Sequence, residues 1–375
     1  MADVLRQVLP SEHEQLLHLL ERGFGHEVGF FQREMPHWYA DPEICCANSY
    51  VLETGAGIVA HAGLHPIEMT ATGLSCKVGG VGCVVTAPEE RGKGHMSRLL
   101  QHVITTMRQG GYALSWLAGD RQRYNSYGWE AAGLVYDLLI TVRSLEWAAV
   151  APLPMEERSP ERALATIEAL YRKSCCWAAR PRLAEQIARQ NLRIWTTEDG
   201  YAITRGAPGK RQQIVELVSA SRREPRMIRT ILEATGASEA TWELPACDGE
   251  RLPRLMPYAA QWHAGPNGMF RIVDLALLLE AAVPHLRRWA NALDGYSLCL
   301  AIQEHDRTMS ATIAFGGGEV QITRGRCADE VIEMDILEAT RLLLGGPPTG
   351  REAKLSPCLL AALPLPTHIL PLDAV

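Results

Sequence analysis

One stretch constrains the chain more than any other: VVTAPEERGKGHMSRLL, residues 84–100, in which a β-rich run enters a glycine-studded loop and then a helix. Met96, Leu99, Leu100, Val103, Ile104 and Met107 recur at intervals of three, one, three, one and three, the spacing of one helix face. Glycine tolerates turns that side chains forbid, and the first amides of a helix point toward whatever occupies the loop before it. Such a strand–loop–helix step suits a pyrophosphate; without further context it is also an ordinary tight turn. It is not a nucleotide-hydrolase loop, because Lys93 is followed by Gly94 rather than Ser or Thr. The dinucleotide pattern GxGxxG fails as well, since Ser97 occupies the third position.

The surroundings of this step indicate several domains. At 375 residues the chain exceeds the roughly 100–200 residues of one usual core. Upstream, the N-terminus reads as a short strand and a helix, and residues 48–88 read as an antiparallel meander of short β-rich runs between glycine turns. Gly110 and Gly111 stop the helix; YALSWLAG follows as a strand and RQRYNSYGWEAAG as a polar segment with an aromatic cluster. Residues 148–262 repeat this flavour less clearly. There, RGAPGKR lies between two strand-like runs, so it reads as a hairpin turn and not as a second cofactor loop. The stretch GPNGMFRIVDLALLLEAAVPHLRRWANAL reads as a long helical segment, followed by three strands and by helices from DEVIEMDILEATRLLLGG. The proline-studded C-terminal stretch cannot be one continuous helix.

Composition excludes several function classes. With 47% hydrophobic and 21% charged residues the chain is expected to be globular, and a net charge of -6 with a pI near 6.1 provides no basic surface for nucleic acid. No apolar stretch reaches the roughly 18–20 residues of a membrane span, and the N-terminus lacks a signal-peptide core, so a cytoplasmic, membrane-free location is expected. The ten cysteines include the adjacent pairs Cys45–Cys46 and Cys175–Cys176 and form no CxxC, which reads as buried free thiols. His61, His65 and His95 lack acidic partners at ligand spacing, so no metal site is expected.

The loop resembles the acyl-CoA loop of GNAT acetyltransferases, (Q/R)xxGx(G/A), with Arg91 and Gly94 matching and Met96 standing where a small residue is usual. The longer phrase VGGVGCVVTAPEERGKGHMSRLL, with YNSYGWEAAG downstream, is similar to the enhanced-intracellular-survival (Eis-like) branch of that superfamily. The resemblance is strong over roughly residues 50–135 and architectural beyond. It implies an α/β (α+β) chain of two tandem GNAT-like mixed-sheet domains, 1–147 and a degenerate 148–264, followed by a sterol-carrier-like α+β domain, 265–375. It further implies a homo-oligomer, hexameric in the relatives.

The resemblance also assigns roles. Acetyl-CoA, the acyl donor, is expected along Val84, Val85 and Thr86, where the strand splays open, and at Arg91, Gly92, Lys93, Gly94, His95, Met96 and Ser97, with Gly119 and Asp120 in the wall. Asp120 also reads as a helix cap. Tyr124 matches the family's general acid, and its phenol, with a reference pKa of about 10, stays protonated at neutral pH; equally, Tyr124, Tyr127 and Trp129 read as an aromatic core cluster. The family's base is its own terminal carboxylate, here Val375, with Asp373 as a nearby competitor and a structural tail as the other reading. Phe31, Trp38 and Tyr39, with Phe30, line an acceptor pocket or form a core seam. The expected activity is acetyl transfer to a primary amine of a small molecule or a lysine. The alternatives are a longer acyl group and a non-catalytic acyl-CoA or lipid binder; a lipid binder would need a hollow C-terminal domain.

Overall fold

The computed structural model describes residues 3–304 and 307–375. The first stretch runs β1 (Val4–Gln7), α1 (His13–Phe24), α2 (Phe30–Glu34), α3 (Pro36–Tyr39), α4 (Pro42–Ala47), β2 (Ser49–Thr54), β3 (Gly57–Ala71) and β4 (Leu74–Thr86). It continues through α5 (His95–Gln109), β5 (Leu114–Leu117), α6 (Arg121–Tyr124) and β6 (Glu130–Ala131). Then come β7 (Leu134–Thr141), α7 (Val142–Trp147), β8 (Glu156–Arg158), α8 (Pro160–Leu170), β9 (Cys176–Ala178) and α9 (Leu183–Ile187). Next are β10 (Leu192–Thr196), β11 (Gly200–Arg205), β12 (Gln212–Ser219), α10 (Glu224–Thr235), β13 (Glu239–Pro245), α11 (Arg251–Leu255) and β14 (Ala259–Pro266). The last part holds β15 (Met269–Ile272), α12 (Leu275–Leu286), β16 (Ser297–Gln303), β17 (Thr308–Gly316), β18 (Glu319–Arg324), β19 (Val331–Asp335), α13 (Ile336–Leu344) and α14 (Pro357–Ala361). Among the described residues no helix is long and apolar enough to cross a membrane.

The chain forms two compact units. The first comprises residues 1–133, 268–366 and the final pair Ala374–Val375. Its larger sheet has the strand order β1-β2-β3-β4-β5-β15-β6. Residues of β3 and β4 alternate between its faces, as the period of two requires. Ala62, Leu64 and Val81 pack with Leu99, Leu100, Val103 and Met107 of α5 in one core cluster. Val51, Ile58 and Val85 pack with Leu16 and Leu20 of α1, Phe31 and Tyr39 in another. The residues spaced three and four apart in α5 are therefore its buried stripe, and each fully buried Leu or Val contributes about 1.5–3 kcal/mol.

Two segments of this unit depart from the sequence reading. Met269–Ile272, expected at the start of a helix, is a strand bonded to β5 on one side and to β6 on the other. All four of its residues are buried, the pattern of a strand covered on both faces, which periodicity does not distinguish from a buried helix. Val331–Asp335, expected as helix, runs parallel to β16 and alternates buried with open residues. The helix begins only at Ile336, where Asp335 and Glu338 form a capping box. The smaller sheet has the order β18-β17-β16-β19.

The second unit comprises residues 134–267 and 367–373. Its sheet has the order β14-β7-β13-β12-β11-β10-β8. Strand β7, which a boundary at 147 assigns to the first domain, is hydrogen-bonded to β13 and β14 of this sheet. RGAPGKR connects the antiparallel strands β11 and β12, the expected hairpin. All ten cysteines are free thiols.

Candidate active site

The loop between β4 and α5 is shaped by backbone conformations that only glycine adopts without strain. Gly92 and Gly94 both have φ of +80°, and Gly94 caps α5 with no side-chain hydrogen bond. The first amides of a 15-residue helix are therefore left for a ligand, at the positive end of its dipole. Arg91 is turned back onto the backbone, donating to the carbonyls of Thr86 (3.4 Å) and Gly23 (3.3 Å). Glu90 pairs with Lys93 (2.8 Å) and His95 (3.3 Å), which hold its carboxyl below the usual range, and the neighbouring Glu89 pairs with Arg22 at 2.7 Å, so both acids of the loop are compensated.

This loop opens on a cleft of about 430 Å³. Val84, Val85, Thr86, Arg91, Gly92, Gly94, His95 and Met96, all expected at the donor site, line it together. Lys93, Ser97, Gly119 and Asp120 are absent from that lining. Sequence reasoning missed Gly23, Phe24, Glu90 and Arg123, which do line it. The signal for Gly23 was its place in α1 against β4: a side chain there would collide with Val85.

Strand β4 is split where the cleft begins. Its parallel pairing with β5 covers only Val78–Gly80, and beyond Gly80 the strands part. On its other side the register with β3 shifts between His61 and Gly63, so that β4 has one extra residue. Cys83, at a φ of +51°, sits in this bulge. The Cys83 carbonyl accepts a hydrogen bond from His61 Nδ1 at 2.8 Å. Backbone groups of Val84 to Thr86 thus stand free of the β5 side.

The last residue of the chain lies on the same strand. A methyl carbon on Gly82 would fall 3.0 Å from the Val375 carboxyl carbon, and one on Gly80 would fall 2.8 Å from its Cγ2. Gly80 and Gly82 therefore form a bare cradle for Val375, next to the bulge. Asp373 is engaged inside the second unit: Arg180 donates to both of its carboxylate oxygens at 2.8 Å, and Gln186 adds a hydrogen bond at 2.9 Å.

Tyr124 packs with Trp129, Val81 and Val84 in the α5-side cluster and is 7% exposed. Its ring leaves no room for a side chain at Gly119, which explains that glycine. Burial raises the phenol above its ordinary pKa, so it is protonated across the physiological range. The Tyr127 hydroxyl bonds to Ser97 in the first turn of α5 at 2.6 Å. Asp120 caps α6 by accepting from the Gln122 amide.

The three aromatic residues expected on the acceptor side are less open. Phe31 and Tyr39 are buried, and Trp38 is half-buried, 4.6 Å ring to ring from His65. His61 and His65 are fully enclosed, and burial pushes them down to about 4 and about 3, so both are neutral. Among the described residues no group of three or more His, Cys, Asp or Glu side chains is placed to hold a metal ion.

The model of the acetyltransferase (GNAT) domain family matches residues 4–132, the stretch that contains the split strand, the loop and Tyr124. Residues 4–132 are a GNAT acetyltransferase domain. Through it the chain is an acetyltransferase, and acetyl-CoA is the donor that GNAT acetyltransferases use. Whole-chain likenesses extend the fold beyond that GNAT domain. A conserved protein of Enterococcus faecalis superposes with a TM-score of 0.73 at 19% identity, over 100% of this chain and 97% of that one. A GCN5-related N-acetyltransferase of Kribbella flavida gives 0.70 at 18%, over 100% of both. Eis1 of Mycobacterium abscessus gives 0.64 at 16%, over 98% of this chain and 97% of that one, so the chain shares the fold of that protein. No curated protein matches it in sequence.

Proposed function

We propose that the chain transfers the acetyl group of acetyl-CoA directly to a primary amine, of a small molecule or a lysine, with Val375 as base and Tyr124 as acid. The uncapped amides of α5 and the loop from Arg91 to Ser97 would hold the pyrophosphate, and the free backbone of Val84 to Thr86 the pantetheine arm. The cleft supports this fit, since Gly92 and Gly94 present no side chain where phosphates would approach. The amine nitrogen attacks the thioester carbonyl; the Val375 carboxylate takes the proton the nitrogen loses. As the C–S bond breaks, Tyr124 gives its phenolic proton to the sulfur, and amide and free thiol leave.

The observation that carries this reading is the Val375 carboxyl group resting on Gly82, beside the bulge of the split strand. The buried, raised phenol of Tyr124 supports the acid role, and the engagement of Asp373 by Arg180 supports Val375 over its competitor. A lipid-carrying role for residues 265–375 finds less support. The apolar gap among Leu279, Leu300, Ile313 and Leu342 measures about 10 Å³, about the room of one water molecule and far short of an acyl chain. The sterol-carrier-like label for that region, the degenerate GNAT-like label for the middle one, and a homo-oligomer remain parts of this proposal, as does a cytoplasmic location.

Calorimetry with acetyl-CoA and thiol release over a panel of amines test it together. Removing Ala374–Val375, and separately Tyr124→Phe, should leave donor affinity within about threefold and lower kcat by about 10²-fold or more. Unchanged turnover in either variant would remove that residue from its role. Loss of donor binding in the intact protein would remove the reading itself.

A further inference from the structure

Three of the ten cysteines gather in the second unit. Cys176, the first residue of β9, has its sulfur 3.6 Å from that of Cys247, in the turn after β13, and the Cys175 thiol donates to Cys176 Sγ at 3.7 Å. Cys176 is fully buried, whereas Cys175 and Cys247 are partly exposed. The other adjacent pair is arranged differently. Cys45 faces the Ser49 hydroxyl at 3.9 Å, Cys46 donates to the Leu9 carbonyl at 3.4 Å, and both are buried. There each sulfur has an oxygen partner; in the second unit sulfur faces sulfur.

One side chain ties the two thiol-bearing segments together. Arg251 of α11 donates to the Ser174 hydroxyl at 3.3 Å, to Asp248 at 2.7 Å and to the Leu217 carbonyl of β12 at 3.1 Å. A single guanidinium thus holds the residue two before Cys176 and the residue after Cys247, and anchors both to the sheet. A disulfide has an S–S distance of about 2.05 Å, so Cys176 and Cys247 have to close by about 1.5 Å, within the reach of side-chain rotation. Cys175 is the poorer partner for Cys176, because adjacent cysteines close a ring through their own planar peptide bond. The neighbouring thiols and burial raise the Cys176 thiol well above its ordinary range, so it stays protonated, and it is shielded from solvent. Of the two sulfurs, Cys247 is the one an oxidant reaches first.

We propose that Cys176 and Cys247 are a modification site, a thiol pair that a hydroperoxide converts into a reversible disulfide within the second unit. The inference does not depend on the acetyl-transfer mechanism. The Cys247 thiolate attacks one oxygen of hydrogen peroxide; the O–O bond breaks, Cys247 becomes a sulfenic acid, and the departing hydroxide takes up a proton as water. The Cys176 sulfur then attacks the Cys247 sulfur, the S–O bond breaks, and the Cys176 proton leaves with the hydroxyl group as a second water. The two thiols lose two electrons and the peroxide gains them. A dithiol reverses the step by exchange. The bridge would close a loop of about seventy residues, from β9 past β13, and so restrict the unfolded chain.

The test treats the reduced full chain with hydrogen peroxide, alkylates the remaining thiols and maps the digest by mass spectrometry with and without dithiothreitol. A Cys176–Cys247 link, lighter by two hydrogens, should form while the buried Cys45 and Cys46 stay reduced, and dithiothreitol should remove it. With dimedone present to trap sulfenic acids, Cys247 should be labelled about tenfold more in Cys176→Ala than in the parent, because the second sulfur is gone. The mapping of the parent needs no substitution and decides by itself. A link through Cys175, or no link once the exposed Cys327 is oxidised, overturns the proposal, as does equal dimedone labelling of Cys247 in both proteins.

Discussion

The two units each contain a strand–helix–strand step of the same kind, and they use it in opposite ways. In the first, β4 leads through the loop into α5 and back to a parallel β5; in the second, β12 leads into α10 and back to a parallel β13. In both, parallel pairing lasts three residues and the strands then part. The first step leaves its groups free: Gly92 and Gly94 in positive φ, uncapped amides, and bare backbone from Val84 to Thr86. The second consumes them. Arg222 takes the positive φ, at +60°, and Ser219 accepts from the Arg223 amide at 2.9 Å. Pro225 removes an amide from the first turn, and Glu224, paired with Arg254, brings an acid there. Glu216, on the part of β12 that is no longer paired with β13, is buried against Arg180, which also binds Asp373. The shared frame does not decide which step binds a ligand; the groups left unpaired do.

The largest expected effect comes from closing what the first step keeps open. Gly82→Val places methyl groups within the space of the Val375 carboxyl group. It should lower kcat by about 10²-fold or more while circular dichroism stays native, as expected when a positioned base is displaced. A turnover within about threefold of the parent would show that Val375 serves only as a structural tail.

Donor affinity separates the two steps next. Gly94→Val forces a β-branched residue into φ of +80° at the mouth of α5, and the acetyl-CoA dissociation constant should rise by about 10- to 100-fold. The reciprocal change, Arg222→Gly with Pro225→Ala, restores a glycine and an amide to the second step. It should create no second donor site, because Arg180 and Glu216 still occupy the split, and calorimetry should keep a stoichiometry of one per chain. A second equivalent of acetyl-CoA would mean that the loop alone decides.

Much of this contrast was legible in the sequence where it depends on local pattern. The 3.6-residue spacing from Met96 to Met107 marked α5, the glycine turns marked the meander, and RGAPGKR read correctly as a hairpin because no helix follows it. The loop that corresponds to the donor loop in the second unit, residues 220–223, has no glycine and drew no attention. Short strands were the weak point: Met269–Ile272 and Val331–Asp335 have four and five residues, too few for period two to outweigh an adjoining helix. The cradle of Gly80 and Gly82 was invisible for another reason. Both glycines stood in the quoted motif, but what they make room for is Val375, nearly three hundred residues away, and only the folded chain brings the two together.

The smallest effect at neutral pH, and the one that distinguishes the units by stability, concerns buried histidines. The first unit encloses His61 and His65, held down to about 4 and about 3; the second encloses His368, held to about 3. An unfolded histidine binds its proton near pH 6.5, so between that value and the folded one the unfolded state carries more protons. Their stabilising contribution is therefore complete above pH 6.5 and is lost as pH falls toward 4, at up to about 1.4 kcal/mol per pH unit for each residue. Hydrogen exchange followed from pH 7 to pH 4.5, corrected for intrinsic rates, should show protection falling faster in β3 and β4 than around residues 367–373. His65→Gln should bring the two closer to parity. Equal losses in both units, unaltered by that substitution, would mean that His61 and His65 are hydrated and able to charge in place.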